Sequence, residues 1–544
     1  MNKPKNLFSR FGTYTLILLW AMVWLIFFQE WYHYHFFFQE QNQLFLNSWS
    51  YIFTYFDKPA WLACLLGDWL TQFYYYLYAG PVILCCALFL TGIVCLKALR
   101  TAGIQRPRLA TSIAMMIMTI EAIFSFHYDH RLPSVLAVTG GATIFWLSTL
   151  LVRHINRHSQ WLSSMMIFLS ATLTFWLFGC GIWMYSLLLI TGWLIHIKEA
   201  NSYLHLGILA ITLFIISICK RFYFLPFDAL YSYPGIGKLI MPQLDLEKTF
   251  AADDEYYFGN YSKLTRMVEA DPNPNQYMKY YYNLVMAQQR KLPDRLLAFS
   301  NNYLGTFENI GPDTPTLTIK TLNELYWILG DMTFAERATI LGMVNSPNNR
   351  NIRMTKRLAE INIVNGEWNA ARKFLRILQK TFVWHTWAEQ LLNALDHPEG
   401  EHQGLLKAYQ EKANLTNLTD TIRLSDNSYT IMQELLESNA ENHIALDYLL
   451  CSDLLLKDME TFKRDYDQFC YRMENPPYQT KLYQEALMIY LAGTHAPQSE
   501  WQKYIHRNDL LERFLQYNEQ RGSDAFTDTY WYYFDKAKTP KLSK

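Results

Sequence analysis

The sequence predicts an all-α protein in two parts: a polytopic bundle of about seven transmembrane helices over residues 1–223, and a soluble helical-repeat domain over residues 224–544. Long apolar segments follow one another between residues 12 and 220, and a membrane-spanning helix needs about 20 such residues. From about residue 246 onward, apolar residues recur with a helical period of about 3.6, and the alternation typical of strands is scarce. The two parts also differ in charge.

The charge difference limits the kind of partner. The whole chain is neutral, with 48 basic and 48 acidic residues, but residues 1–221 carry 14 Lys and Arg against 7 Asp and Glu. The remainder therefore has 34 against 41, a net charge of −7. An acidic soluble domain argues against nucleic acid as a partner, since phosphate binding needs a basic surface. Only Cys451 and Cys470 belong to this domain, and we expect two free thiols rather than a disulfide.

Seven apolar segments are candidates for spanning helices. The first is not a cleaved signal peptide, because its apolar run continues to Phe28 and an aromatic-rich segment follows instead of a small-residue cleavage site. Gly179-Cys180-Gly181 provides a tight turn between the fifth and sixth segments. The segments are residues 12–28, 79–97, 109–126, 133–151, 161–178, 181–197 and 204–220.

Basic residues in the short loops predict a cytoplasmic N-terminus, because Lys and Arg are retained on the cytoplasmic side. Seven is odd, so the soluble domain would lie outside the cytoplasm, in the periplasm of a bacterial inner membrane. Lys220 and Arg221 depart from this rule, and the outer connections carry only Lys58 and Arg131. The residues predicted to be cytoplasmic are Lys3, Lys5, Arg10, Lys97, Arg100, Arg106, Arg108, Arg153, Arg157 and Lys198.

The clearest unit of the soluble half is residues 351–380, which predict two helices joined by a turn at Gly366. The spacing resembles the second half of a tetratricopeptide repeat, in which an aromatic residue fills the gap beside the turn. Weaker similarities begin at Gly330 and Gly259, and a further helical pair is predicted at 442–471. We expect a degenerate solenoid; the alternative is an irregular all-α domain with one repeat-like hairpin. The matching residues are Leu358, Ala359, Gly366, Trp368, Ala371 and Leu375.

Acidic and histidine residues of the membrane half cluster in two predicted outer loops. The first loop, residues 29–78, contains amphipathic runs that predict helices lying on the membrane surface, with Trp and Tyr at the headgroup level. The second loop is short, and Glu121 precedes it inside the third span. Charged groups within a membrane are costly and tend to be functional. The candidate residues are Glu30, His33, His35, Glu40, Asp57, Asp68, Glu121, His127, Asp129, His130 and Arg131.

Over residues 1–223 this arrangement resembles the type C glycosyltransferases. The resemblance implies an enzyme that uses a lipid-linked sugar donor on the extracytoplasmic face. Glu40 or Glu30 would occupy the position of the first-loop catalytic acid, although Asp68 also lies in that loop, and His127 and Asp129 would form the second-loop pair. One acid would deprotonate an acceptor hydroxyl, and a divalent cation would hold the donor phosphate. The acidic pair that follows the first span in these enzymes is missing here.

Structural roles compete with these catalytic ones. Glu121 would pair with His127, His130 or Arg131 in a buried network, which needs no chemistry. His33 and His35 would be amphipathic residues at the membrane interface. A metal site formed by His33, His35, His127 and Asp129 is chemically allowed, because imidazole and carboxylate suit zinc or manganese.

The chain is also similar over nearly its full length to a family of uncharacterised inner-membrane proteins from Bacteroidota. The shared features are Glu40-Gln41-x-Gln43-Leu44-Phe45, the helix Arg357-Leu358-Ala359-Glu360-Ile361-Asn362 and the ending Thr529-Tyr530-Trp531. This resemblance implies the architecture and an inner-membrane location, and it supplies no activity.

Two functions follow from these patterns. The first is a non-enzymatic membrane protein, surrounded by lipid and without a cofactor, whose periplasmic repeat domain is a scaffold for a protein or an envelope glycan. The aromatic runs 280–282 and 530–533 would line its binding surface or fill its core. The second is a membrane-embedded glycosyltransferase. No Walker loop, nucleophile elbow or zinc-protease helix occurs, and Gly140-Gly141 offers the only transporter-like break within a span.

Overall fold

The computed structural model describes residues 7–155, 160–195, 200–219, 227–235, 243–299, 302, 304–305, 314–397, 403–416 and 427–538. Across these residues the fold is all-α and contains no strand, which confirms the predicted class. The chain forms two compact units. The first comprises Met1–Phe250 and Gln379–His385, and the second comprises Ala251–Leu378 and Thr386–Lys544.

Five helices of the first unit are long and apolar enough to cross a membrane, which indicates a membrane-embedded protein. The sixth and seventh predicted segments are the shorter apolar helices Gly181–Ile195 and Tyr203–Cys219, so the count of seven stays a prediction. The five long segments are Gly12–Trp31, Ala79–Ala102, Pro107–Phe124, Leu132–Val152 and Trp161–Phe178.

Twelve helices of the described chain begin before residue 251, within the first unit. The first outer loop contains three of them and a 3-10 turn at Gln72–Tyr75. The helices are α1 (Leu7–Trp31), α2 (Tyr34–Gln41), α3 (Trp49–Phe53), α4 (Trp61–Thr71), α5 (Ala79–Ala102), α6 (Pro107–Phe124), α7 (Leu132–Ile155), α8 (Gln160–Phe178), α9 (Gly181–Ile195), α10 (Ala200–Cys219), α11 (Phe227–Leu230) and α12 (Leu244–Tyr257).

Gly140 and Gly141 do not break the fourth span, because α7 is continuous through both residues. A Cβ atom on Gly141 would lie 2.0 Å from the backbone oxygen of Gly181, and one on Gly140 would lie 2.1 Å from the ring of Phe178. The two glycines therefore let α7 approach the α8–α9 turn at backbone distance, as small residues do between membrane helices.

The predicted orientation in the membrane depends largely on basic residues that the structure does not describe. Lys97, Arg100, Arg106 and Arg108 lie at the end of α5 and the start of α6, on one side of the unit. The remaining basic residues named above, Lys3, Lys5, Arg157, Lys198, Lys220 and Arg221 together with the side chains of Arg10 and Arg153, lie outside the described residues.

The second unit consists of sixteen further helices in its described part. Several are paired by very short turns. The helices are α13 (Tyr261–Ala270), α14 (Gln276–Gln288), α15 (Leu292–Arg295), α16 (Thr316–Leu329), α17 (Met332–Val344), α18 (Ile352–Val364), α19 (Trp368–Leu378), α20 (His385–Asp396), α21 (Gly404–Ala413), α22 (Ser428–Ser438), α23 (His443–Leu456), α24 (Met459–Phe469), α25 (Lys481–Gly493), α26 (Gln498–Tyr504), α27 (Asn508–Glu519) and α28 (Tyr530–Lys536).

The predicted hairpins form at α16–α17, α18–α19 and α23–α24. Gly330 and Gly366 both adopt positive φ at the turns, where a side chain would be strained. Ala371 and Leu375 are buried as expected. The Trp368 ring lies beside the turn as expected, with its nearest atom 3.9 Å from the position of a Cβ atom on Gly366, although the side chain is 46 % exposed.

The aromatic runs belong to the core of the second unit and not to a binding surface. Tyr280, Tyr281 and Tyr282 on α14 are fully buried, and so are Tyr530 and Trp531 on α28. Their hydroxyl and indole groups are satisfied inside the protein; for example, the Trp531 indole donates to the backbone oxygen of Glu485 at 2.9 Å. All eight cysteines are free thiols, Cys451 and Cys470 among them.

Candidate functional site

Two predicted site residues from different loops form an ion pair. Asp68 lies on the buried face of α4, and Arg131 directly precedes α7. The Arg131 Nη1 atom donates to Asp68 Oδ1 at 3.3 Å, and the Tyr55 hydroxyl donates to Asp68 Oδ2 at 3.0 Å. Both carboxylate oxygens of Asp68 are thus engaged by structural partners, which is the arrangement that a buried charge needs.

Glu121 and His130 also meet, but more loosely. The Glu121 Oε2 and His130 Nε2 atoms are 3.7 Å apart, which is too long for a hydrogen bond. The His130 ring stacks on Phe124 with the ring centroids 5.3 Å apart. Of the three partners considered for Glu121, the structure places His130 nearest to it, and Arg131 forms its ion pair with Asp68.

Glu40 is buried in the last turn of α2, and Gln41 Nε2 donates to Glu40 Oε2 at 2.6 Å. This helix contacts the second outer loop, because Gln39 Nε2 donates to the His130 backbone oxygen at 3.3 Å. Glu30 lies elsewhere, exposed near the end of α1. The structure thus brings α2 to the second loop but leaves Glu30 apart from the buried acids.

His127 and Asp129 are adjacent at the tip of the second loop. The Asp129 backbone amide donates to His127 Nδ1 at 3.2 Å. The Asp129 side chain is 54 % exposed, and its Oδ2 atom lies 3.8 Å from Nδ1. Among the described residues, no group of three or more His, Cys, Asp or Glu is placed to hold a metal ion. The metal site considered for His33, His35, His127 and Asp129 is therefore not formed.

Glu247, which the sequence did not single out, joins the first loop to α12. Its Oε1 atom accepts from the backbone amides of Tyr34 and His35, at 2.6 and 3.3 Å, at the N-terminus of α2. Its Oε2 atom lies 3.4 Å from His35 Nδ1. A carboxylate at a helix N-terminus complements the unpaired amides and the helix dipole. His35 is thereby part of a buried structural contact.

The second unit contains a candidate binding site that the sequence did not predict. A polar cleft of about 910 Å³ opens beside the N-terminus of α25. Pro476 and Pro477 precede that helix, and this Pro-Pro pair is the sequence feature from which a fixed loop could have been predicted. The side chains that can contact a ligand are Asp294, Tyr478, Gln479, Lys481, His506 and Arg507.

Buried groups fix the shape of this cleft. Gln484, which is fully buried on α25, accepts from the His506 backbone amide at 2.8 Å and donates to the Tyr504 backbone oxygen at 2.8 Å. The His506 ring packs on Tyr478 with the centroids 5.4 Å apart, and the Tyr471 ring also packs on Tyr478 with the centroids 5.5 Å apart. The aromatic wall is therefore held in place by side chains behind it.

Ion pairs orient the two cations of the lining. Lys481 Nζ donates to Asp528 Oδ2 at 2.8 Å, and Arg507 Nη2 donates to Asp509 Oδ2 at 2.6 Å. Lys481 and Arg513 together hold the pKa of Asp528 well below its usual range. With both cations paired, the cleft offers directed hydrogen bonds beside an aromatic face, and Asp294 is its remaining acidic side chain.

The comparisons with known proteins identify the chain at the level of its family. No curated protein and no solved structure matches it. The profile of one family covers residues 9–537, which is nearly the whole chain and includes both compact units. The chain therefore belongs to the family of unknown function DUF6057.

Proposed function

We propose that this chain is a multi-pass protein of a bacterial inner membrane whose second unit lies in the periplasm and binds a glycan of the cell envelope. The polar cleft beside α25 carries this proposal. A volume of about 910 Å³ is enough for several sugar rings and lies within the usual size range of ligand sites, roughly 300–1,000 Å³.

The lining favours a glycan over a peptide. Sites that bind proteins are anchored by apolar side chains entering apolar pockets, and the apolar part of this lining is limited to Pro476, Pro477 and Tyr478. A sugar ring presents an apolar face and a rim of hydroxyl groups. Tyr478 can stack on such a face, and Gln479 and Arg507 can donate to the hydroxyl oxygens.

The helical hairpins support a repeat-like scaffold in the second unit. The α16–α17, α18–α19 and α23–α24 pairs each turn within two or three residues, as tetratricopeptide-like units do. Stacked pairs of this kind present extended surfaces and need no catalytic groups. We propose the repeat architecture on this basis.

A non-enzymatic role agrees with the state of the buried acids. Asp68 is engaged by Arg131 and Tyr55, and Glu40 accepts a hydrogen bond from Gln41. A general base must instead be free to reach the proton that it removes. Asp129 instead favours an enzymatic role, because its carboxylate is exposed beside His127. A type C glycosyltransferase-like enzyme is therefore the second candidate, and Asp129→Asn would abolish its sugar transfer.

Binding to an array of bacterial envelope oligosaccharides tests the proposal directly. The full chain in detergent should bind a subset of the glycans, and Tyr478→Ala combined with Arg507→Ala should weaken that binding at least tenfold. Trp368→Ala is the matched control, since it removes an exposed aromatic side chain outside the cleft. Binding that is absent for the natural chain, or equal in both variants, would overturn the proposal.

A further inference from the structure

We propose that α4 of the first outer loop is a re-entrant helix, inserted into the leaflet at which α7 begins, with its outward face against lipid acyl chains. The sequence predicts helices that lie on the membrane surface in this loop. The packing of α4 against the spans points to a deeper position.

The two faces of α4 are arranged for an apolar solvent. The buried face carries Ala63, Cys64, Gly67 and Thr71 together with Asp68, the only charged residue of the helix. The outward face carries leucines and a tryptophan, and Leu66 and Trp69 are 45 % and 43 % exposed. An amphipathic helix at the surface of a soluble protein has the opposite arrangement, with its charged residues outward. The outward face of α4 therefore fits lipid.

Contacts with α7 give the depth of the helix. A Cβ atom on Gly67 would lie 2.5 Å from the Pro133 ring, so the two residues are in close contact. Ala63 and Cys64, one turn earlier, cluster with Ala137. Ala137 lies five residues into a span that begins at Leu132, which corresponds to about 7.5 Å of helix rise. The N-terminal end of α4 is thus the deeper one.

Contacts with α8 also lie within the length of a candidate span. The Ala60 backbone amide donates to the Phe175 backbone oxygen at 3.4 Å, in the last turn of a candidate span. The Trp61 ring packs edge-on against Trp176, with the centroids 5.6 Å apart. Both contacts lie on the span itself and not beyond its end.

Two tyrosines in the segment before α4 direct their hydroxyl groups inward. The Tyr51 hydroxyl donates inward to the Leu44 backbone oxygen at 2.6 Å, and Tyr55 donates to Asp68. Trp49 and Phe53 are turned outward and are exposed. Hydroxyl groups satisfied internally beneath exposed aromatic side chains suit a lipid environment, and the exposed Ser50 and Asp57 lie outside α4 itself.

Continuity with a spanning helix identifies the occupant of this face. Leu169, Leu173 and Trp176 are exposed along α8, which is a candidate span and would meet acyl chains along that side. The contact between Trp61 and Trp176 joins α4 to that surface. Lipid therefore covers the outward face of α4 in the same way that it covers α8.

Nitroxide accessibility in the full chain, reconstituted in liposomes, tests this position. Leu66→Cys and Trp69→Cys are labelled in a background in which Cys86, Cys180 and Cys219 are alanine, because these thiols are exposed or half-buried. Leu169→Cys on α8 is the lipid-facing control, and Lys407→Cys on α21 is the water-facing control. Collisions with oxygen report lipid, and collisions with a water-soluble nickel chelate report water.

The proposal expects both α4 labels to follow Leu169→Cys, with an oxygen-to-nickel ratio several-fold above that of Lys407→Cys. A ratio equal to that of Lys407→Cys would place α4 in water and overturn the proposal. Low collision rates with both reagents would also overturn it, because they would mean that a second copy or another protein covers the face.

Discussion

Arg353 and Asp253, one hundred residues apart in the chain, form a fully buried ion pair in the second unit. Arg353 Nη1 donates to both carboxylate oxygens of Asp253, each at 2.8 Å, and Nη2 donates to Glu324 at 3.0 Å. Arg357 reaches the other oxygen of Glu324 at 2.7 Å, and Tyr281 donates to Asp253 at 2.6 Å. Helices α12, α14, α16 and α18 are thereby tied together by one network.

Replacing Arg353 with methionine should lower the free energy of unfolding by about 3–5 kcal/mol, because it leaves Asp253 and Glu324 buried and incompletely paired. Urea unfolding of the purified chain measures this difference. Arg372→Met is the control, since the Arg372–Asp396 pair is solvent-exposed and an exposed pair contributes only about 0–1 kcal/mol. Equal effects of the two substitutions would contradict a structural role for the buried pair.

Buried carboxyl groups should make the second unit less stable as pH rises from 5 to 8. Burial, reinforced by Asp465, raises the pKa of Asp453 to about 9, and burial raises the pKa values of Asp447 and Glu485 to about 7. The unfolded chain releases these protons near pH 4, so the folded state binds more protons across this range. Each such carboxyl lowers the free energy of unfolding by about 1.4 kcal/mol per pH unit within its window.

Asp453→Asn isolates one of these contributions. The variant should lose stability less steeply than the natural chain between pH 5 and 8, as measured by urea unfolding at several pH values. Above pH 8 the Lys412 amine, whose pKa burial lowers to about 8, adds a slope of opposite sign, so the comparison ends there. Asp396→Asn changes an exposed carboxyl and should leave the slope unchanged. Parallel curves for Asp453→Asn and the natural chain would contradict the account.

The close approach of α7 and α9 should make Gly141 intolerant of a side chain. Gly141→Ala places a Cβ atom against the Gly181 backbone oxygen, which cannot move aside as a side chain can. Overpacking of this kind costs about 1–3 kcal/mol, so the melting temperature of the purified protein in detergent should fall. Gly207→Ala on α10 is the matched control, because nothing lies within 4 Å of the added atom. The same melting temperature for both variants would contradict the conclusion that Gly141 is needed for the close approach of α7 to Gly181.

Local sequence patterns predicted the helices, but they did not predict contacts between residues that are distant in the chain. The hairpins at Gly330 and Gly366 were predictable because a glycine between two segments of helical periodicity is a local pattern that indicates a left-handed turn. The Arg353–Asp253 pair and the cap that Glu247 provides to α2 join residues 100 and more than 200 positions apart, which no periodicity reveals. The spacing predicted the place of Trp368 beside the turn, but its 46 % exposure depends on which neighbours pack around the hairpin.

The candidate site was predictable only in part. Asp68, Glu121, His130 and Arg131 were recognisable as charged groups next to apolar segments, and the sequence offered several pairings for them. Which acid meets which base depends on how α4, α6 and α7 pack, so Asp68–Arg131 emerged only from the structure. The cleft depends on Gln484, whose role in fixing the loop at 504–506 leaves no sequence signature.

The side of the membrane on which the second unit lies is the most direct test of the proposed function, because an envelope glycan is reached only outside the cytoplasm. In spheroplasts, Lys407→Cys should react with a membrane-impermeant maleimide, and Arg108→Cys, at the predicted cytoplasmic start of α6, should react only after the membrane is opened. The same alanine background removes the three native thiols that are exposed or half-buried. Labelling of Lys407→Cys only after the membrane is opened would place the second unit in the cytoplasm and contradict the account.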